Sequence, residues 1–393
     1  MKRLLLIIAA ATLSFVGYAA GTVNFSVGGK YSKLFHSASD ALLPPGANGS
    51  YPCFDITVGK NYHPSDSSDF ARMYNYPIVG VGFSAALLNT MQTRENAYLG
   101  NMYNLYSFLE YDLWKNEAFS VGLKGNLGIG YNKGTFNPVT NPNNDFMGFP
   151  LMLYYGMGPY VKLRFGGHWE IGADAQLWHH SNGRMNLPNM GLNEWGVELF
   201  ARYYVDTPYT GTRKVTPKKP VAKKFLWDVY AGGAPYVSDA IYFAYLKDRT
   251  REWPFKPQAR FLVGGDVLYR YSNVTASGLA LDFIYSTGND RLMEADLSRF
   301  GKLSEQGYHP LYLAAAYVQE VFIGKVSMRA SLGVHLFRRL GQGEALDVPT
   351  IFFQTLGARY YFQKLADTFI GFDCKVRYFS RADNLQFVVG KRF

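Results

Sequence analysis

The chain has 393 residues, of which 18% are charged and 17% aromatic, with 30 Tyr, 29 Phe and 40 Gly. Soluble domains carry about 25% charged residues, so the composition argues against an ordinary soluble globule. The formal net charge of +10 falls to about +8 once Lys2 and Arg3 leave with a cleaved leader; on an exported chain this excess fits an anionic membrane face or lipopolysaccharide better than nucleic acid.

The first element is that leader. Lys2 and Arg3 precede an apolar run from Leu4 to Val16, and Gly17 and Ala19 place small residues at the −3 and −1 positions of a signal-peptidase site. Residues 1–19 therefore read as a secretory signal peptide, and no Cys follows to make a lipoprotein. Beyond it there is no run of ~18 apolar residues, so no helix is expected to span a bilayer.

Segments of period-two alternation follow, bounded by turn residues. They fall near 23–36, 51–61, 76–87, 98–114, 117–132, 151–165, 167–180, 193–205, 226–237, 256–271, 276–287, 308–320, 322–337, 351–363, 367–379 and 384–393. In one, Val326, Met328, Ala330, Leu332, Val334 and Leu336 share a face opposite Lys325, Ser327, Arg329, Ser331 and His335. Alternating, aromatic-rich strands in an exported chain predict an all-β fold. The expected form is a transmembrane antiparallel outer-membrane β-barrel of about 16 strands, within a range of 12–16.

Connection lengths alternate as well. Short breaks at Lys115-Asn116, Gly166, Ser272–Thr275, Gly324 and Lys364–Ala366 contrast with long ones at 37–50, 88–97, 133–150, 183–192, 238–255, 288–307 and 338–350. Short periplasmic turns and long outer loops are the barrel pattern. Two connections depart from it: 62–75, and 206–225, which holds the basic run RKVTPKKPVAKK and marks where the chain would divide if it formed two modules. The expectation is one barrel over 20–393, because only the second half ends on an alternating strand with a terminal aromatic (Leu385, Phe387, Val389, Phe393). That ending resembles the signal outer-membrane barrels present to their assembly machinery. Cys53 and Cys374 fall on the second and fifteenth strands. Across a single-barrel seam that is about three strand spacings of ~4.8 Å, too far for a disulfide, so both thiols are expected to be free.

The stretch LWHHSNGRMNLPNMGLNEW (177–195) carries the candidate chemistry. Successive strand residues point to opposite faces. His179 and Ser181 thus share the apolar, lipid-facing side with Ile171, Ala173, Ala175 and Leu177. His180 faces the lumen with Asp174, Gln176 and Trp178. The adjacent histidines are therefore a poor metal pair, and no CxxC, HExxH, Walker or GxGxxG pattern occurs; no metal site is expected. On the next strand Asn193 faces outward, whereas Glu194, Glu198 and Arg202 face inward. A serine nucleophile needs a base, and the base needs an orienting partner. Ser181, His179 and Asn193 fill these roles, and Asn182 and Gly183 are candidates for the oxyanion hole. The bland alternative is a polar strand end with a turn. If odd strands run outward, the group lies near the outer leaflet, where its substrate would be an ester within a membrane lipid.

His179-x-Ser181-Asn182-Gly183 followed by Pro188-Asn189-x-Gly191-Leu192-Asn193 resembles the PagL-type lipid A 3-O-deacylase family, also called acyloxyacyl hydrolase. YNYPIVGVGF (74–83), LGNMYNLYSFLEYDL (99–113) and the Asn-rich loop before the sixth strand add to the likeness, which covers about 23–205 well and 226–393 weakly, the latter in the manner of longer Bacteroidetes-like members. The resemblance implies that Ser181 is the nucleophile and His179 the base, with the family's acidic Glu replaced here by Asn193. A second resemblance is to outer-membrane phospholipase A, whose His-Ser-Asn triad and HxSNGR run match His179–Arg184 and Asn193. There the residues after the serine help form an oxyanion hole and a calcium site, and on that resemblance Arg184 joins Asn182 and Gly183 as an oxyanion or substrate candidate.

The leading expectation is a serine esterase of a Gram-negative outer membrane that deacylates lipid A and needs no cofactor. The alternatives are a calcium-dependent phospholipase A and a non-catalytic barrel acting as porin, receptor or structural protein. A homodimer is compatible with either. The lumen charges Asp174, Glu198, Arg202, Asp266 and Arg270 are expected to form ion pairs rather than line a substrate path.

Overall fold

The computed structural model describes residues 21–35, 42–65, 69–95, 97–211, 224–247, 258–378 and 381–393. The expected signal peptide over 1–19 and the basic run over 213–223 lie outside the described residues.

All sixteen alternating segments are strands. The first eight are β1 (Gly21–Leu34), β2 (Ser50–Tyr62), β3 (Ile78–Ala86), β4 (Met102–Lys115), β5 (Phe119–Asn132), β6 (Leu151–Phe165), β7 (Trp169–Ser181) and β8 (Leu192–Tyr204). The second eight are β9 (Lys224–Tyr236), β10 (Gln258–Arg270), β11 (Thr275–Ser286), β12 (Leu311–Ile323), β13 (Val326–Phe337), β14 (Phe352–Phe362), β15 (Thr368–Arg377) and β16 (Arg381–Arg392). Strands of 9 to 15 residues suffice to cross a bilayer when tilted.

The expected single ring is corrected by the pairing. β1 closes on β8 and β9 closes on β16, so the strands form two closed barrels of eight. Alternation is a local signal. It cannot say which distant strand the last one will bond, and closure is a choice made between strands such as β1 and β8, at opposite ends of their half. Cys53 on β2 and Cys374 on β15 are both free and buried. They belong to different barrels, so the seam distance expected of a single ring does not apply.

Each barrel inverts the soluble pattern. Large apolar side chains such as Phe25, Val27, Ile56, Phe261, Leu279 and Phe283 are more than half or about half exposed on the outer walls. The interiors hold buried charge. In the first barrel Lys30 pairs with Asp55 and Glu198, Lys124 with Asp174 and Glu198, Lys162 with Glu110, and Arg202 with Glu110 and Glu170. In the second, Arg329 and Arg359 bind Asp228 and Asp266, and Arg392 binds Asp228 and Glu320. Such a wall is stable only where lipid replaces water outside, which makes this an outer-membrane type of barrel. An eight-stranded barrel is just wide enough for its side chains to fill. The ion pairs fill these interiors, as buried charges require. Of the five lumen charges, Asp174, Glu198, Arg202 and Asp266 are paired as expected. Arg270 instead donates to the backbone carbonyls of Ser272 and Asn273.

The long loops carry order that alternation does not predict. A short helix α1 (Asp69–Met73) lies in the 62–75 connection. In the second barrel the long connections form α2 (Asp239–Lys247), α3 (Asn289–Phe300) and α4 (Gly341–Asp347), whose Ala240, Ile241, Leu292 and Ala295 pack into one buried cluster. In the first barrel the loops bring Leu42, Leu43, Leu88, Met91, Phe146 and Met147 into a cluster with Leu34, Tyr51 and Leu192. That plug fixes the end of the barrel at which the candidate site lies.

Candidate active site

The register of β7 and β8 places His179 directly opposite Asn193. His179 Nδ1 lies 2.6 Å from Asn193 Oδ1. A carbonyl oxygen only accepts, so the ring donates its Nδ1–H and a neutral imidazole keeps its lone pair on Nε2. The Tyr155 ring, opposite His179 on β6, packs at 5.2 Å and a tilt of 43°. Ser181 is the last residue of β7, paired with the outward-facing Leu153, and is buried. Two residues apart on one strand face, His179 and Ser181 stand on the same side of the wall.

A contribution that sequence reading left without a role comes from Gly191. Its φ is +69°, and a Cβ there would come within 2.8 Å of His179 Cε1 and 3.1 Å of Nε2. The backbone at 191 thus lies against the Nε2 edge of the imidazole. It is held there by the Asn-rich loop, because Asp145 O accepts from Met190 N–H and Phe146 O from Gly191 N–H, each at 3.2 Å. The positive φ is the signal, since only glycine adopts it at little cost.

His180 faces inward, as expected, and is not idle. Its Nδ1 donates to Glu194 at 2.6 Å, its Nε2 contacts the Asn104 amide at 2.9 Å, and its ring stacks on Tyr154 at 5.0 Å. Tyr51 donates to the other Glu194 oxygen. His180 and Glu194 are fully buried.

The three residues after the serine belong to the second compact unit, within Asn182–Asn189. The Asn182 backbone N–H donates to Asn189 Oδ1 at 3.0 Å, so it is already engaged, while the buried side-chain amide makes no hydrogen bond. Gly183 has φ +60°, and a Cβ there would meet Leu385 Cβ at 2.3 Å, which accounts for the glycine by packing. Arg184 is buried and committed elsewhere. Its guanidinium pairs with Asp239 at 3.2 Å and with Glu344 and Asp383 at 3.3 Å. Burial pushes the Asp239 carboxyl up. Against the same push, Arg184 and the Ala240 N–H hold Glu344 below the usual carboxylate range. This geometry gives Arg184 a structural ion-pairing role instead of a substrate contact. Among the described residues no group of three or more His, Cys, Asp or Glu is gathered as a metal site.

No curated protein matches this sequence. Similar solved structures include Neisserial surface protein A, 11% identical, covering 47% of this chain and 97% of its own with a TM-score of 0.30. OccAB1 of Acinetobacter baumannii is 9% identical, with 96% and 97% covered and a TM-score of 0.24. An outer membrane channel from Pseudomonas putida F1 is 10% identical, with 96% and 98% covered and a TM-score of 0.20. Residues 227–393 match the family "Acyloxyacyl hydrolase, C-terminal domain". The match falls on the half where the resemblance by motif is weak, and the motif residues fall outside it. The match covers less than half of the chain, so it is the second half that is similar to this acyloxyacyl hydrolase family.

Proposed function

We propose that the chain is a serine esterase that removes an acyl chain from lipid A, with Ser181 as nucleophile, His179 as base and Asn193 as the residue that orients the base. The observation that carries this reading is the 2.6 Å bond from His179 Nδ1 to Asn193 Oδ1 on the lipid-facing wall, with Ser181 two residues along the same face. That bond fixes the tautomer that leaves Nε2 free to accept a proton.

In the proposed reaction Ser181 Oγ attacks the ester carbonyl while its proton passes to His179 Nε2. The oxyanion is stabilised by a hydrogen-bond donor, for which the unpartnered Asn182 amide is the candidate. Collapse expels the lipid alkoxide, which takes the proton from His179. Water, deprotonated by the same ring, then hydrolyses the acyl-serine and restores the enzyme. The outward position supports a lipid substrate, because the group faces hydrocarbon and headgroups rather than the filled lumen.

Mass spectrometry of lipid A from cells making the wild type or Ser181→Ala tests this. The expected result is a missing acyl chain that returns with the substitution. Purified protein given phospholipid in parallel, with and without chelator, covers the phospholipase alternative that the amide of Asn193 favours. No cleavage of either lipid would leave a non-catalytic barrel.

A further inference from the structure

On the outer wall of β1 the outward residues run Phe25, Val27, Gly29 and Tyr31 before the first charge, Lys33. An outward lysine is costly at the bilayer midplane and nearly free at the interface, so Lys33 marks the rung where lipid headgroups begin. The same rung holds the candidate site. Lys33 lies opposite Trp195 on β8, two residues from Asn193, and Phe35 N–H donates to Asn193 O at 3.0 Å.

A groove of about 630 Å³ opens at this level beside Asn193, lined by Lys33, Phe35, Leu43, Pro44, Arg94 and Trp195 among others. Its floor is built into the fold. Leu43 is buried in the loop plug, Leu34 N–H donates to Gly49 O at 3.0 Å, and Ala47 N–H to Pro44 O at 3.0 Å. Arg94 is fixed from behind, with its N–H on Leu42 O at 2.8 Å and its Nε on Leu43 O at 2.9 Å. Among the described residues every charged side chain of the lining is cationic.

We propose that this groove is the subsite for the phosphorylated head of the lipid substrate. The phosphate lies against Lys33 and Arg94, and the first carbons of an acyl chain cross Phe35, Pro44 and Trp195 toward the serine. The inference rests on the esterase reading for its orientation, but lipid binding at the groove can be measured without turnover. An aromatic and proline floor with two cations on its rim suits an amphiphile with an anionic head.

The test uses the full-length Ser181→Ala protein in phosphatidylcholine nanodiscs, titrated with lipid A carrying its phosphates and with the same lipid after phosphatase treatment. The phosphorylated lipid should bind about tenfold tighter, the scale of two partly exposed ion pairs, and the preference should shrink as salt is raised. A Lys33→Gln/Arg94→Gln double variant should lose the preference while still binding the dephosphorylated lipid, which also reports its folding. Equal binding of the two lipids by the parent protein, or a preference that survives in the double variant, would overturn the proposal. So would equally strong displacement by inorganic phosphate alone, which would assign the groove to a free anion. If the wild type cleaves no lipid yet the preference is present, the esterase reading fails and the subsite stands.

Discussion

His179 and His180 are chain neighbours on β7 with opposite fates. Each ring donates Nδ1–H across to β8 at 2.6 Å, one to the Asn193 amide and the other to the Glu194 carboxylate. By partner alone, His180 has the better-known arrangement, since a carboxylate is the usual orienter of a base. It is nevertheless sealed in the barrel between Asn104 and Tyr154. His179 has the weaker partner and the lipid-facing position beside Ser181. The contrast teaches that one strand end can carry two histidine pairs of different kinds, an amide pair on the outer wall and a carboxylate pair sealed inside, and the proposed function uses only the outer one.

The largest expected effect breaks the comparison outright. His179→Ala should lower kcat on lipid A by about 10³-fold, the loss of a general base, with little change in unfolding. His180→Ala should do the reverse in kind. It leaves Glu194 a buried carboxylate short of one partner, and should cost about 3 kcal/mol of stability, read as an earlier midpoint of urea unfolding in detergent. A His180→Ala protein as stable as wild type would show that the inner pair does not hold these strand ends.

Gly191→Ala tests how tightly the outer histidine is placed. The added Cβ would sit 2.8 Å from His179 Cε1, and φ is +69°. The imidazole must move by several tenths of an ångström or the loop must give. Misplacement on that scale should lower kcat by up to about 10²-fold, with KM changing less. A variant with full activity would mean that the Asn-rich loop does not set the ring.

Much of this was legible in the sequence. The sixteen strands, the outward parity of His179, Ser181 and Asn193, and the inward parity of His180, Glu194 and Arg202 all follow from period two. What alternation cannot carry is long-range choice. Whether β8 bonds β1 or continues to β9 depends on hydrogen bonds between distant strands, so one ring was expected where two close. The basic linker marked the division correctly, but local pattern gave it less weight than the terminal strand. Arg184 was misread for a related reason. Its place in HxSNGR made it a substrate contact, yet its partners Asp239, Glu344 and Asp383 lie some fifty to two hundred residues downstream. Gly191 was visible as a letter but not as a positive φ against an imidazole.

The smallest expected effect sharpens the comparison most. Asn193→Leu keeps the branched shape at that position, with somewhat more bulk, but removes the acceptor for His179 Nδ1–H. The ring would then be free to rotate or change tautomer, and kcat should fall by about tenfold, the worth of one hydrogen bond on the order of 1.4 kcal/mol. Asn193→Asp keeps the shape and offers a carboxylate like that of Glu194, so it should match or exceed the wild type, because a charged acceptor also stabilises the imidazolium formed in the reaction. Steady-state rates of the two variants on one lipid A preparation decide the matter. If Asn193→Leu equals the wild type, the 2.6 Å contact is not what readies His179, and the resemblance between the outer and inner pairs is structural only.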